Sequence, residues 1–166
     1  MTFWEIIKPI FTNHVIWIPA SAWLISQVMK AVINIIMDRK FSFERLFGDG
    51  GMPSGHSATV TSLMIMVGYT SGFGSPLFAL SAIFAAVVMH DAMGVRRETG
   101  KHAVSIKELA DTVNKLFLTD DDEIKTEKIK VLVGHTPLQV IMGAILGAVL
   151  ATSYIMLVTI IKMYVV

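Results

Sequence analysis

Gly50-Gly51-Met52-Pro53-Ser54-Gly55-His56-Ser57-Ala58-Thr59 runs straight into an apolar stretch, and this junction decides how the rest of the chain is read. Glycines, a proline, hydroxyls and one histidine gather where a loop turns into a membrane-embedded helix. The first turn of a helix carries unpaired N–H groups and partial positive charge, which suits an anion. Gly51 and Gly55 let the backbone come close, while Ser54 and Ser57 add hydroxyl donors. His56 adds a group that exchanges a proton near neutral pH. The combination points to phosphate chemistry beside a lipid bilayer.

Outward from the junction, the composition supports the bilayer. Apolar residues make up 54% of the 166 and charged ones 16%, which places the chain among membrane proteins. The length favours one domain, 1–166. Four apolar runs are readable, at about 15–37, 55–72, 76–93 and 137–166, and a span needs on the order of 20 apolar residues. Gln27 and Lys30 interrupt the first run, Gln139 and Lys162 the last. The last run is long enough for one tilted helix or two short ones. The expected fold is therefore all-α, a polytopic transmembrane bundle of about four to five spans.

Between the last two spans lies a polar insert, Arg96 to Lys130. Ile106, Leu109, Val113 and Leu116–Phe117 recur at helical spacing, which predicts an amphipathic helix over 105–118. Thr119-Asp120-Asp121-Asp122-Glu123 reads as a solvated turn or helix start, because the twelve-residue ligand pattern of a calcium loop is missing. At the other terminus Phe3, Trp4, Phe11 and Trp17 suit an interfacial lead-in to the first span. Glu5, Lys8 and the lack of a small-residue cleavage pattern argue against a cleaved signal peptide. The absence of cysteine excludes disulfides, thiolate metal sites and thiol nucleophiles.

Charge sets the expected orientation. Eleven of the fourteen Lys and Arg residues fall in the two large loops, which a four-span arrangement puts on one side. Basic residues are retained in the cytoplasm, so these loops are expected there and both termini outside, in a multi-pass protein of the cell membrane. Every polar residue of interest then lies at one membrane face. Lys30 is near the end of the first span, His56 opens the second, His90 and Asp91 close the third and His135 opens the fourth. Charged groups in or near lipid usually face a bundle interior or a wet cavity, so a shared pocket is expected.

Two histidines at two helix starts, with cations nearby, fit phosphoryl transfer that needs no metal or cofactor. One imidazole attacks phosphorus and the other protonates the leaving oxygen. Lysine and arginine hold the non-bridging oxygens. Taken alone, His56 is more simply a helix-start histidine bonded to backbone; the preceding Pro-Ser-Gly reverses that preference. His14 and His102 read as bland surface positions, and His90 as a tolerated interfacial one.

Pro53-Ser54-Gly55-His56 resembles the central signature of the type 2 phosphatidic acid phosphatase superfamily, which also contains vanadium-dependent haloperoxidases. Val88-Met89-His90-Asp91-Ala92-Met93-Gly94-Val95-Arg96-Arg97 and Gly134-His135-Thr136-Pro137-Leu138-Gln139-Val140 follow in the expected order. The match looks like the small, divergent bacterial and plastid branch. The resemblance implies that His56 is the general acid and that Ser54 and Gly55 bind phosphate. It implies that His135 is the nucleophile and Lys30 the phosphate-binding lysine, with Arg39 standing in for the arginine of the first motif. The arginine expected six residues before the nucleophile is Ile129 here, between Lys128 and Lys130, and Arg96 or Arg97 takes its place. The aspartate expected four residues after the nucleophile is Gln139. A glutamine orients an imidazole through its carbonyl oxygen but does not stabilise imidazolium by charge. Asp91 is left to orient His135 or to pair with Lys30 or Arg97, with a buried ion pair that fixes helix register as the plainer reading.

The leading expectation is a membrane phosphatase for a lipid phosphate or diphosphate such as phosphatidic acid, phosphatidylglycerophosphate or a polyprenyl phosphate. A non-catalytic membrane protein that binds phospholipid or another anion is second, and a small transporter is third. Bilayer and lipid phosphate are the expected partners, and nucleic acid is not. Gly143 and Gly147 have a spacing that packs helices within the bundle or between copies of the chain.

Overall fold

Helix boundaries follow local chemistry in the computed structural model, which describes residues 2–38, 51–117 and 134–165. These residues form six helices and no strand: α1 Phe3–Thr12, α2 His14–Asp38, α3 Gly55–Ser71, α4 Pro76–Met93, α5 Val95–Phe117 and α6 Pro137–Val165. Ser54 caps α3 by accepting from Ser57 N–H, and Ser75 caps α4 by accepting from Phe78 N–H. Pro76 opens α4 at a position where its missing N–H costs nothing. Gly72, at φ +91°, ends α3, and the four-residue turn 72–75 reverses the chain into α4.

The arrangement of these helices inverts the ordinary soluble plan. α3 is the centre, packed by α2, α4 and α6. Gly55, Ser57, Ala58, Thr61, Ser62, Met66 and Gly68 are all buried along it. Each outer helix turns one narrow stripe of small or polar residues inward: Ala22, Ser26 and Lys30 from α2, Ser81, Ala85 and Ala92 from α4, Gly143, Gly147 and Ala151 from α6. Their bulky apolar residues point outward, among them Leu24, Leu80, Ile83, Val87, Ile145 and Val149. In lipid there is no hydrophobic drive to bury leucine against leucine, so close backbone approach through small residues becomes the cohesive term.

That approach is tight. A Cβ at Gly143 would collide with the Ser54 carbonyl oxygen, and one at Gly147 with that of Ala58. The paired glycines thus serve α3–α6 packing inside the bundle. Two hydroxyls of the apolar interior are satisfied within their own helix, as Ser26 Oγ donates to Trp23 O at 2.6 Å and Ser62 Oγ to Thr59 O at 3.0 Å, whereas the buried Thr61 Oγ1 has no hydrogen-bond partner among the described residues.

Two expectations change. Among the described residues, three helical segments are long and apolar enough to cross a membrane, beginning at His14, Pro76 and Pro137. This is fewer than the expected four to five: α3, with 17 residues and a more polar sequence, falls just short of that length, and the end of the chain is one continuous helix. The amphipathic helix expected at 105–118 begins ten residues earlier, at Val95. Gly94 interrupts α4 for a single residue, at φ −98° and ψ −95°, and helix resumes immediately. Arg39 and the acidic run 119–123 lie outside the described residues.

Candidate functional site

Four chain segments converge at one end of the bundle: the last third of α2, the loop 51–54 with the start of α3, the end of α4, and residues 134–139 leading into α6. Backbone bonds tie them together. Ser54 N–H donates to Gln139 O at 3.0 Å, and His135 N–H donates to Ala92 O at 3.0 Å. Gly134, at φ +90°, lies so close on the Arg96–Arg97 backbone that no Cβ fits. The loop carrying His135 is therefore clamped between the ends of α4 and α3.

His56 and His135 meet across this clamp. Their ring centroids are 6.1 Å apart with the planes at 63°. His135 is 2% exposed, whereas His56 is half-buried and forms the outer side of the pair. Gln139 Oε1 lies 3.3 Å from His135 Nδ1 and also accepts from Thr136 N–H at 3.0 Å. The second bond anchors the carboxamide with its oxygen toward the ring, an arrangement that suits a proton on Nδ1 of His135.

Beside the histidines, the start of α3 forms a polar cradle. Ser54 and Ser57 are fully buried, and Ser57 Oγ donates to Ser54 Oγ at 3.0 Å. Lys30 is 3% exposed and its stem runs beside Gly51, at φ +94°. An ammonium buried to that degree in a membrane protein is costly without anionic or polar company. Gly55 admits α2 closely: a Cβ there would stand 2.9 Å from Ser26 Oγ and 3.2 Å from the Trp23 ring.

Of the residues singled out by sequence, Lys30, Ser54, Gly55, His56, His135 and Gln139 come to this one end. Arg96 and Arg97 sit at its edge, beneath Gly134, where the Arg97 side chain is exposed. Asp91 does not orient His135. Its Oδ2 accepts from Arg96 Nε at 2.9 Å, with both side chains 43% exposed, so neither a buried pair nor a pair with Lys30 or Arg97 forms. The physical reason is Gly94: its break brings residue 96 back over residue 91, five positions away. His90 is exposed, and His14 lies at the far end against Tyr154.

Sequence reading missed Gln27. Its Nε2 comes close to Gly55, and its Oε1 is buried with no hydrogen-bond partner among the described residues. The signal was present, since Trp23, Ser26, Gln27 and Lys30 recur at the spacing of one helical face.

Comparison with known proteins identifies the family. The Divergent PAP2 family profile matches residues 11–150. A Bacillus subtilis (strain 168) protein named "Uncharacterized membrane protein YuiD" is 38% identical over 147 residues, covering 85% of this chain and 93% of its own. No solved structure matches the chain. The matched region takes in every residue gathered at the histidine end of the bundle, and the chain is a helical membrane protein that belongs to the Divergent PAP2 family.

Proposed function

We propose that this protein is a membrane phosphatase that hydrolyses a lipid phosphate or diphosphate without a metal, through a phosphohistidine intermediate. The observation that carries the reading is the 6.1 Å separation of the His56 and His135 rings above a buried lysine and a serine-capped helix start. His135 Nε2 attacks phosphorus while the bond to the lipid oxygen breaks, and His56 passes its proton to that oxygen. Water then attacks the phosphohistidine, His56 takes the proton of the water, and inorganic phosphate leaves. Lys30, the Ser54 and Ser57 hydroxyls and the N–H groups of the first turn of α3 hold the non-bridging oxygens. Arg96 and Arg97 at the edge attract the anionic head group.

A lipid substrate explains why the cradle sits at the end of a membrane bundle. The tails remain in the leaflet while the phosphate reaches the histidines from the headgroup layer. The concentration of lysine and arginine in the two large loops supports a cytoplasmic site fed from the inner leaflet.

Gln139 supports a second reading, a phosphate-binding membrane protein without turnover. It gives His135 the orientation of a nucleophile but no charge to stabilise imidazolium. One experiment separates the two. Purified protein in detergent with EDTA is assayed for phosphate release from short-chain lipid phosphates, and in parallel for vanadate binding. Release that disappears in His135→Ala is expected; vanadate binding by the native protein with no release establishes the binder instead.

A further inference from the structure

α1 buries none of its residues. Phe3 is 80% exposed, Trp4 63%, Phe11 59%, Ile6 58% and Ile10 49%. Helical spacing collects these five on one side of α1, while Glu5, Lys8 and Thr12 occupy the other. The helix is well formed, since Thr2 and Glu5 make a reciprocal capping box at its start. An ordered amphipathic helix whose apolar side, apart from the half-buried Ile7, is left exposed by its own protein requires an apolar neighbour.

The neighbour is identified by what the apolar side continues into. Phe11 stacks on Trp17 at 6.4 Å and 25°, and Trp17 is exposed on the outer side of α2, one turn into the span. Leu24 and Val28 extend that outer side down α2 toward the bilayer interior. Asn13 has extended backbone, at φ −82° and ψ 102°, and its Oδ1 accepts from Val15 N–H at 2.9 Å. The chain therefore turns a corner at Asn13, so α1 is not a straight prolongation of α2. Tryptophan at such a corner belongs at headgroup level.

We propose that α1 lies in the boundary between head groups and acyl chains, in the leaflet opposite the His56–His135 end, with Phe3, Trp4, Ile6, Ile10 and Phe11 against the chains. The charges of Glu5 and Lys8 cancel, so the contact is apolar and indifferent to lipid charge. Pinned this way, α1 fixes the level of α2 in the bilayer, and with it the depth of Lys30 at the other end.

The full chain carrying Trp17→Phe and Trp23→Phe keeps Trp4 as its one tryptophan and is reconstituted in phosphatidylcholine vesicles, with and without phosphatidylglycerol. Bromines placed high on the acyl chains should quench Trp4 emission more than bromines near the terminal methyls. The ratio should be the same in both lipid mixtures and at low and high salt. Ile6→Lys should abolish the bromine quenching, and Thr12→Lys should leave it intact. Quenching by aqueous iodide without bromine quenching overturns the proposal, as does the strongest quenching near the terminal methyls. Protection from both quenchers also overturns it, because a second copy of the chain would then cover α1. Should the tryptophan substitutions prevent folding, a fluorophore on Ile10→Cys gives the same readout, because the chain has no other cysteine.

Discussion

The two ends of the bundle each set a histidine beside another ring, and they differ in everything else. At one end His56 and His135 stand 6.1 Å apart; at the other His14 and Tyr154 stand 5.3 Å apart. Proximity alone would rank the second pair higher. His14, however, is exposed at the head of α2 and meets Tyr154 at the end of the bundle away from the buried lysine, the Ser54 cap and the clamped loop. His135 is buried, oriented by Gln139 and faced by the starts of α3 and α6. A site arises where helix starts, a buried cation and oriented rings share one depth, and a ring contact without them is packing.

The largest expected effect tests that distinction directly. His56→Ala should lower turnover by about 10²–10⁴-fold, the range of a lost general acid. His14→Ala should leave turnover unchanged within the error of the same phosphate-release assay. Equal losses in both variants would break the contrast between the ends and point to general unfolding of the bundle.

Packing should show the same asymmetry. Gly143→Ala drives a methyl into the Ser54 carbonyl beneath the site, and overpacking of this kind costs about 1–3 kcal/mol. Gly74→Ala, in the turn at the far end, meets no atom within 4 Å. Thermal unfolding in detergent should fall clearly for the first variant and stay at the native midpoint for the second. A native midpoint for Gly143→Ala would mean that α3 and α6 approach less closely than they do here.

The helix caps sharpen the contrast by matching in stability and differing in binding. Ser54 caps α3 and Ser75 caps α4 by the same geometry. Either serine changed to alanine should cost about 1 kcal/mol of stability. Only Ser54→Ala should weaken vanadate binding, measured by protection of the purified protein against thermal unfolding. Equal weakening by both would show that the hydroxyl acts through the fold and not on the oxyanion.

Much of this was legible in the chain, and the failures are instructive. The apolar runs marked α2, α4 and α6 almost to the residue, because long apolar helices have no other home than a bilayer. The central place of α3 was not legible from hydropathy, which would put the most apolar helices inside. In lipid the order reverses, and the usable signal was the periodic small residues, Ala22 and Ser26 on α2 or Gly143, Gly147 and Ala151 on α6. The histidine pair was visible because its motif residues are contiguous in sequence. The partner of Asp91 was not, since pairing with Arg96 depends on a one-residue break at Gly94 that brings nonadjacent turns together. Gln27 was passed over as a polar residue tolerated in a span, although it shares a helical face with Lys30.

The smallest expected effect concerns Gln139, and it decides how far the histidine end has moved from a carboxylate-assisted site. Gln139 Oε1 is held toward His135 Nδ1 by a second bond from Thr136 N–H, so the orientation of the ring does not require a charge. Gln139→Glu keeps the size and the oxygen and adds the charge. A carboxylate at 3.3 Å favours the protonated imidazole, so more hydroxide is needed to free Nε2 for attack. The acidic limb of the pH–rate profile should therefore move to higher pH, while the rate on the plateau rises modestly because the imidazolium that develops is better stabilised. A limb that stays in place would show that residue 139 does not touch the reacting ring in the working protein. A shifted limb with a lower plateau would show that the neutral carboxamide is itself an adaptation, one that keeps His135 deprotonated close to an acidic membrane surface.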